Sequence, residues 1–341
     1  MDTEELNKIA NAMVAPGRGI LAMDESHPTC NKRFEKLGIP TSEDMRRTYR
    51  NMLVTTSNLS DYISGAILFD ETIRQKTLDG TPFADHLSKN GIIPGIKVDA
   101  GAKTLAGHEA EKITEGLDGL RERFAEYHML GARFSKWRAV ITIGDQIPSW
   151  ACIEANAHAL ARYALLSQEA GIVPIVEPEV LMDGDHSIER CYEVTELTQR
   201  IVFHQLKNQG VLLEGMVLKP SMVISGASAS NRASVESVAK DTVRCLLNTV
   251  PAAVPGIAFL SGVHSDKEAS THLNAMNSLG IKLPWALTFS YGRALQQTAM
   301  QTWSGDSAKI DNAQQALLWR AKCNGSAALG KYSDAMEKQA A

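Results

Sequence analysis

Eight short apolar runs recur along the chain, and each one ends on polar or charged residues. They are ILAMDE (20–25), ISGAILFD (63–70), IIPGIKVD (92–99), ARFSKWRAVITI (132–143), IVPIVEPEV (172–180), LLEGMVLKP (212–220), GIAFLSG (256–262) and WALTFSYG (285–292). Their length, β-branching and Gly or Pro borders favour strands over buried helix. Longer amphipathic stretches separate them, among them 116–131, 149–171 and 187–210. The second and third open on serine and all three close on glycine, the residues that cap helices. The polar ends fall at residues 24, 70, 97, 136, 177, 219, 261 and 290, a span of 266 residues in seven steps, or about 38 per step. A βα unit needs roughly 30 residues or more. Eight units therefore predict an α/β chain folded as one (β/α)8 TIM barrel domain over 1–341, with a short polar tail from about 331. A doubly wound sheet is the alternative, but the glycines of GRGILAMDES precede the first strand, so no GxGxxG turn follows it.

Composition narrows the partners. The chain has 341 residues with 35 basic against 39 acidic side chains, a net charge of −4. Nucleic acid calls for a basic surface, and an anionic membrane for basic clusters; neither partner is expected. No apolar run approaches the roughly 18 residues of a membrane span. The opening MDTEELNKIANAM is acidic and does not read as a secretory signal. Five cysteines, 30, 152, 191, 245 and 323, never lie closer than 39 residues apart. Neither a disulfide framework nor a zinc ribbon fits that spacing, and a cytoplasmic globular protein is expected. Nine histidines are present without two inside any four-residue interval, so no catalytic metal is expected and none is assigned.

In such barrels the active site forms at the C-terminal ends of the strands. Those ends carry Asp24 with Glu25, Lys97 with Asp99, Lys136 with Arg138, Glu177 with Glu179, Lys219, Ser261 with Gly262, and Ser290 with Gly292 and Arg293. Strand side chains alternate faces, so Lys136 shares a face with Arg138, and Glu177 with Glu179. Trp137 then points outward into packing. Asp70 and Glu71 read as solvated strand termini. Lysines and glutamates are rarely buried unless paired, and several converging in one mouth point to chemistry. A lysine nucleophile must be neutral, which burial and a neighbouring cation such as Lys136 promote. A carboxyl group beside Lys219 could protonate a carbinolamine, and Asp24 could handle a substrate hydroxyl proton. The LSG and SYGR ends offer backbone N–H groups to a phosphate, with Arg293 as counter-charge.

With these motifs, the chain resembles the class I, Schiff-base-forming fructose-1,6-bisphosphate aldolases. The resemblance runs from GRGILAMDES through GIKVD, SKWR, VPIVEPE, LLEGMVLKPSMV, FLSG and FSYGRALQ to LGKY. It implies a cofactor-free lyase that cleaves fructose 1,6-bisphosphate to glycerone phosphate and glyceraldehyde 3-phosphate, in glycolysis and gluconeogenesis or the Calvin cycle. It also implies a homo-oligomer, usually a tetramer. On this resemblance Lys219 is the Schiff-base lysine, Glu177 the acid/base for dehydration supported by Glu179, and Asp24 and Lys136 line the carbon–carbon cleavage site. Ser261, Gly262, Val263, Ser290, Gly292 and Arg293 match the phosphate site of the ketone half. Ser26, Arg33, Arg46, Lys97 and Arg138 match positions around the other substrate end.

Two departures stand out. The family commonly reads SGGQS where this chain has SGVHS, and Val263 would adopt a positive φ only with strain. The family's terminal tyrosine has no counterpart in KYSDAMEKQAA, a polar tail expected to be loosely held. Another Schiff-base sugar-phosphate enzyme, transaldolase-like, is the alternative activity, and an idle scaffold on the same fold is a third.

Overall fold

The structure, a computed structural model, describes residues 2–339. Ten strands form among the described residues: β1 (Gly19–Ala22), β2 (Ile63–Leu68), β3 (Ile93–Lys97), β4 (Ala102–Leu105), β5 (His108–Thr114), β6 (Phe134–Ile141), β7 (Val173–Val180), β8 (Val217–Leu218), β9 (Gly256–Phe259) and β10 (Ala286–Tyr291). Eight of them close a parallel barrel in the order β1-β10-β9-β8-β7-β6-β3-β2. These eight are the eight apolar runs, and the (β/α)8 barrel is the fold. β8 is shorter than its run, because Leu213–Gly215 turns as a 3-10 helix before it.

The helices between strands start and stop where their caps dictate. Ser149 accepts the Cys152 N–H and opens Trp150–Glu169; Ser187 accepts the Arg190 N–H and opens Ile188–Gln209, which Gly210 ends in the left-handed region (φ 78°). The stretch 225–234 is a loop, as its small residues imply, and Ser234 caps the next helix, Val235–Thr249.

Two apolar layers hold the barrel. Outside, the strands pack against the helical ring; Trp137 is fully buried there, stacked on Tyr163 at 5.5 Å. Inside, the helix Thr3–Met13 places Leu6, Ile9, Ala10 and Met13 against Phe134, Val173, Ile175 and Ala258. Asp2 starts this helix by accepting the N–H groups of Glu4 and Glu5, each at 3.1 Å. Phe134 fills the barrel because β2 and β3 present glycine to it: a Cβ at Gly95 would lie 2.2 Å from its ring, and one at Gly65 2.9 Å. The N-terminal ends of the strands are thus plugged, and polar side chains can converge only at the C-terminal ends.

Two features differ from the sequence reading. The segment after β3 folds back as an antiparallel hairpin, β4 and β5, turned at left-handed Gly107 (φ 77°). Its alternation is masked because β4 is largely exposed and the two residues that β5 buries, Glu111 and Thr114, are polar. The tail is also not loosely held. Tyr332 is buried, its N–H donates to Asn274 Oδ1 (2.9 Å), and its hydroxyl donates to Glu337 (2.7 Å), which pairs with Arg320 at 2.7 Å. One buried aromatic and one ion pair tie it down; its last two residues, 340–341, lie outside the described residues.

Candidate active site

Three buried side chains form the centre of the mouth. Lys136 from β6, Glu177 from β7 and Lys219 just past β8 are 4%, 3% and 4% exposed. Glu177 lies between the lysines: its Oε1 is 3.1 Å from Lys219 Nζ and its Oε2 is 3.6 Å from Lys136 Nζ. Asp24, just past β1, closes the row at 2.6 Å from Lys136 Nζ. Burial alone would raise the Asp24 pKa, but the Lys136 and Lys219 cations outweigh it and hold the carboxyl at about 2. Burial would likewise strip the Lys136 proton, yet Asp24 and Glu177 keep the ammonium charged and push its pKa up. Two lysines and two carboxylates thus share one buried cluster, in which Glu177 lies within reach of both lysines and Asp24 stays paired with Lys136.

Around this centre lies a cleft of about 700 Å³. On one side are Ser261, Gly262 and Val263 after β9, with Ser290, Gly292 and Arg293 at the end of β10. The helix Arg293–Trp303 starts there without a side-chain cap, the kind of helix start whose first N–H groups can serve an anion. Ser290 Oγ is buried with no partner, and Arg293 is exposed with no ion pair among the described residues. This end offers N–H and hydroxyl donors and a cation, the set that binds a phosphate dianion. Across the barrel mouth stand Lys97 and Arg138, at the end of β3 and in β6, while Ser26 and Arg33, after β1, lie near Arg293, because β1 pairs with β10. Arg33 pairs with Glu25 at 2.5 Å, Lys97 with Asp99 at 2.6 Å and Arg138 with Glu179. Glu179 thus orients an arginine rather than touching Lys219.

The family model described as "Fructose-bisphosphate aldolase class-I" matches residues 5–341. The chain belongs to the class I fructose-bisphosphate aldolase family. It is 62% identical to the probable fructose-bisphosphate aldolase class 1 of Xanthomonas campestris pv. campestris, over 97% of this chain and 99% of that protein. It is 52% identical to the chloroplastic fructose-bisphosphate aldolase 3 of Arabidopsis thaliana, over 97% and 84%. The solved fructose-bisphosphate aldolase of Plasmodium falciparum superposes with a TM-score of 0.95 at 48% identity, covering 97% of this chain and 95% of that one.

For an aldolase-family chain, the cleft collects all the expected residues except two. Glu177 lies beneath the cleft floor against Lys219. Arg46 points elsewhere: its guanidinium donates to both oxygens of Glu71 (2.9 and 2.6 Å), to Asn31 and to the Thr41 carbonyl. Glu71 is therefore not a solvated strand end, since it also takes Arg50 and His27. Arg50 in turn donates to the Glu25 carbonyl at 2.6 Å, so this cluster steadies the segment that carries Asp24. Val263 also behaves differently from expectation. The left-handed residue of its loop is Gly262 (φ 55°), and Val263 is not among the positive-φ residues, so the valine is accommodated without strain. Four cleft residues with polar side chains had no role in the sequence reading: Glu25, Thr29, Asp99 and Asp183. Glu25 and Asp99 were visible at strand ends; Thr29, whose hydroxyl lies 3.2 Å from that of Ser26, showed only its i, i+3 spacing at the start of the helix His27–Glu35.

Proposed function

We propose that this family member cleaves fructose 1,6-bisphosphate reversibly through an imine on Lys219. The observation that carries the reading is Glu177 wedged between Lys219 and Lys136, with Asp24 on the far side. The Lys219 ammonium passes its proton to Glu177 and the free amine attacks the C2 carbonyl, whose oxygen becomes a hydroxyl. Glu177 returns the proton to that hydroxyl, and water leaves an iminium. As the C3–C4 bond breaks, its electron pair flows into the iminium to form an enamine, while the C4 hydroxyl becomes a carbonyl. That hydroxyl proton is strongly acidic only at this moment, which suits Asp24, a carboxylate of low basicity at about 2. Glyceraldehyde 3-phosphate departs. Protonation of the enamine at C3 and addition of water then release glycerone phosphate and restore the lysine.

The two polar ends of the cleft support a bisphosphate over a monophosphate. Ser261, Gly262, Val263, Ser290, Gly292 and Arg293 are assigned to the ketone-half phosphate, and Ser26, Arg33, Lys97 and Arg138 to the other. Arg46 acts from behind, through Glu71 and Arg50. A cytoplasmic setting is supported by five cysteines that are all free and buried, and no helix among the described residues is long and apolar enough to cross a membrane. The test is borohydride reduction with fructose 1,6-bisphosphate bound, followed by peptide mapping. The label belongs on Lys219; a label confined to Lys136 or Lys97 would falsify the assignment.

A further inference from the structure

One buried pair that the aldol chemistry leaves unused touches the site. The loop after β9 makes a tight turn, closed by the His264 N–H donating to the Ser261 carbonyl at 3.0 Å, with left-handed Gly262 inside it. His264 does not line the cleft. It is 1% exposed, and its ring meets His272 edge-on, with centroids 4.8 Å apart and planes at 63°. His272, 6% exposed, belongs to the helix Asp266–Asn277. That helix is fixed in turn: Ser265 and Glu268 form a capping box at its start, and Ser270 bonds Asn324 and Arg320, each at 2.7 Å.

Neither ring nitrogen of His264 has a partner, nor does Nδ1 of His272. Burial, and the neighbouring His272 for His264, push both rings down to about 4. They are therefore neutral in the working range, and two neutral imidazoles in contact act as packing. The turn that carries Ser261, Gly262 and Val263 stands on one ring, and that ring stands on a braced helix.

We propose that His264 is a positioning residue that seats the Ser261–Val263 turn against the helix Asp266–Asn277, presenting its N–H groups to the ketone-half phosphate already oriented. The inference rests on the reading of that turn as the phosphate site. Oriented donors bind without reorganising, whereas a turn without its floor must be ordered by the ligand. The nearest charged groups, Glu268 on the same helix and Arg232 in the loop before Val235–Thr249, have opposite signs and so keep the pair's surroundings close to neutral.

The test is steady-state kinetics on His264→Ala, His264→Gln and His272→Ala, each checked for folding by thermal melting. In His264→Ala the KM for fructose 1,6-bisphosphate and the inhibition constant of glycerone phosphate should rise about tenfold with kcat within threefold, the scale of a misplaced binding group. The ratio of kcat/KM for fructose 1,6-bisphosphate to that for fructose 1-phosphate should stay at the wild-type value, because the two substrates differ only at the far end. His264→Gln, which keeps bulk under the turn, should restore KM, and His272→Ala should repeat the His264→Ala pattern. A folded His264→Ala with wild-type KM, a loss confined to kcat, or a changed substrate ratio overturns the proposal. If His264→Ala fails to fold, His272→Ala decides by the same criteria. A wild-type chain that does not cleave the bisphosphate overturns the proposed function instead, independently of His264.

Discussion

Glu177 is one carboxylate against two ammonium groups, and its value lies in which proton it holds. Glutamine keeps the shape but can neither accept the Lys219 proton nor return it to a hydroxyl. In Glu177→Gln we expect kcat to fall by roughly 10²–10⁴, the usual scale of general acid–base catalysis, with the fold and substrate affinity retained. Stopped-flow and melting measurements check this, and a fall of less than about threefold would return Glu177 to a structural role. His264 and His272 make a second residue-scale prediction. Folded, both rings stay neutral down to about 4; unfolded, they take up protons near 6.5. The unfolded chain binds more protons between those values, so stability is complete above pH 6.5 and drains as pH falls toward 4, by roughly 3 kcal/mol per ring at most. Urea unfolding from pH 4 to 7 should show this slope, and the double variant H264Q/H272N should flatten it. Asp24 acts lower on the scale: its contribution is full above 3.8 and is lost as pH falls through about 2. The charged residue types at strand ends were legible from the sequence because a strand end is a local property. Arg46 was not, because its direction depends on Glu71, 25 residues away, both of whose oxygens it takes.

Among the elements, the tail illustrates how little apolar surface is needed to hold a chain end. Tyr332 and the Arg320–Glu337 pair fasten 331–339 to the helices Asp266–Asn277 and Ile310–Ala328. Arg320 also donates to the Asp266 carbonyl and to Ser270, so it braces the helix on which His272 sits. Truncation after Gly330 removes its carboxylate and leaves a largely buried guanidinium. Breaking a fully buried pair costs about 3–5 kcal/mol, and the partial exposure of Glu337 lowers the expectation to about 2 kcal/mol. A melt should therefore shift down by several degrees. The tail's described contacts are with these outer helices and not with Lys219, so tritium exchange into glycerone phosphate should slow by less than about tenfold, or about 1.4 kcal/mol in the barrier. A hundredfold loss in a folded truncation would mean that a tail residue reaches the enamine. The hairpin β4–β5 shows the opposite case: its buried positions, Glu111 and Thr114, are polar, so it has no apolar period to announce it, and the pairing of its strands decides its form.

At the scale of the molecule, a barrel plugged at one end by Thr3–Met13 has one open mouth, and every proposed role lies there or directly behind it. The family resemblance implies a homotetramer, and sedimentation equilibrium should return four times the chain mass; a monomer at micromolar concentration that still turns over would show that the site is complete in one chain. Eight alternations of apolar run and amphipathic stretch, about 38 residues apart, were enough by themselves to determine the barrel, and they pointed to the strand ends at which its polar side chains converge. Periodicity, capping and strand ends are properties of neighbours in the chain, and a sequence displays them openly. Tertiary structure alone decided that Arg46 serves Glu71, that Glu179 holds Arg138, that Tyr332 is docked and that His264 rests on His272. Each of these is a partner chosen across the fold, where a buried polar or charged group must find whichever complement the packing brings within reach, and that distance is set by the closed barrel and not by position along the chain.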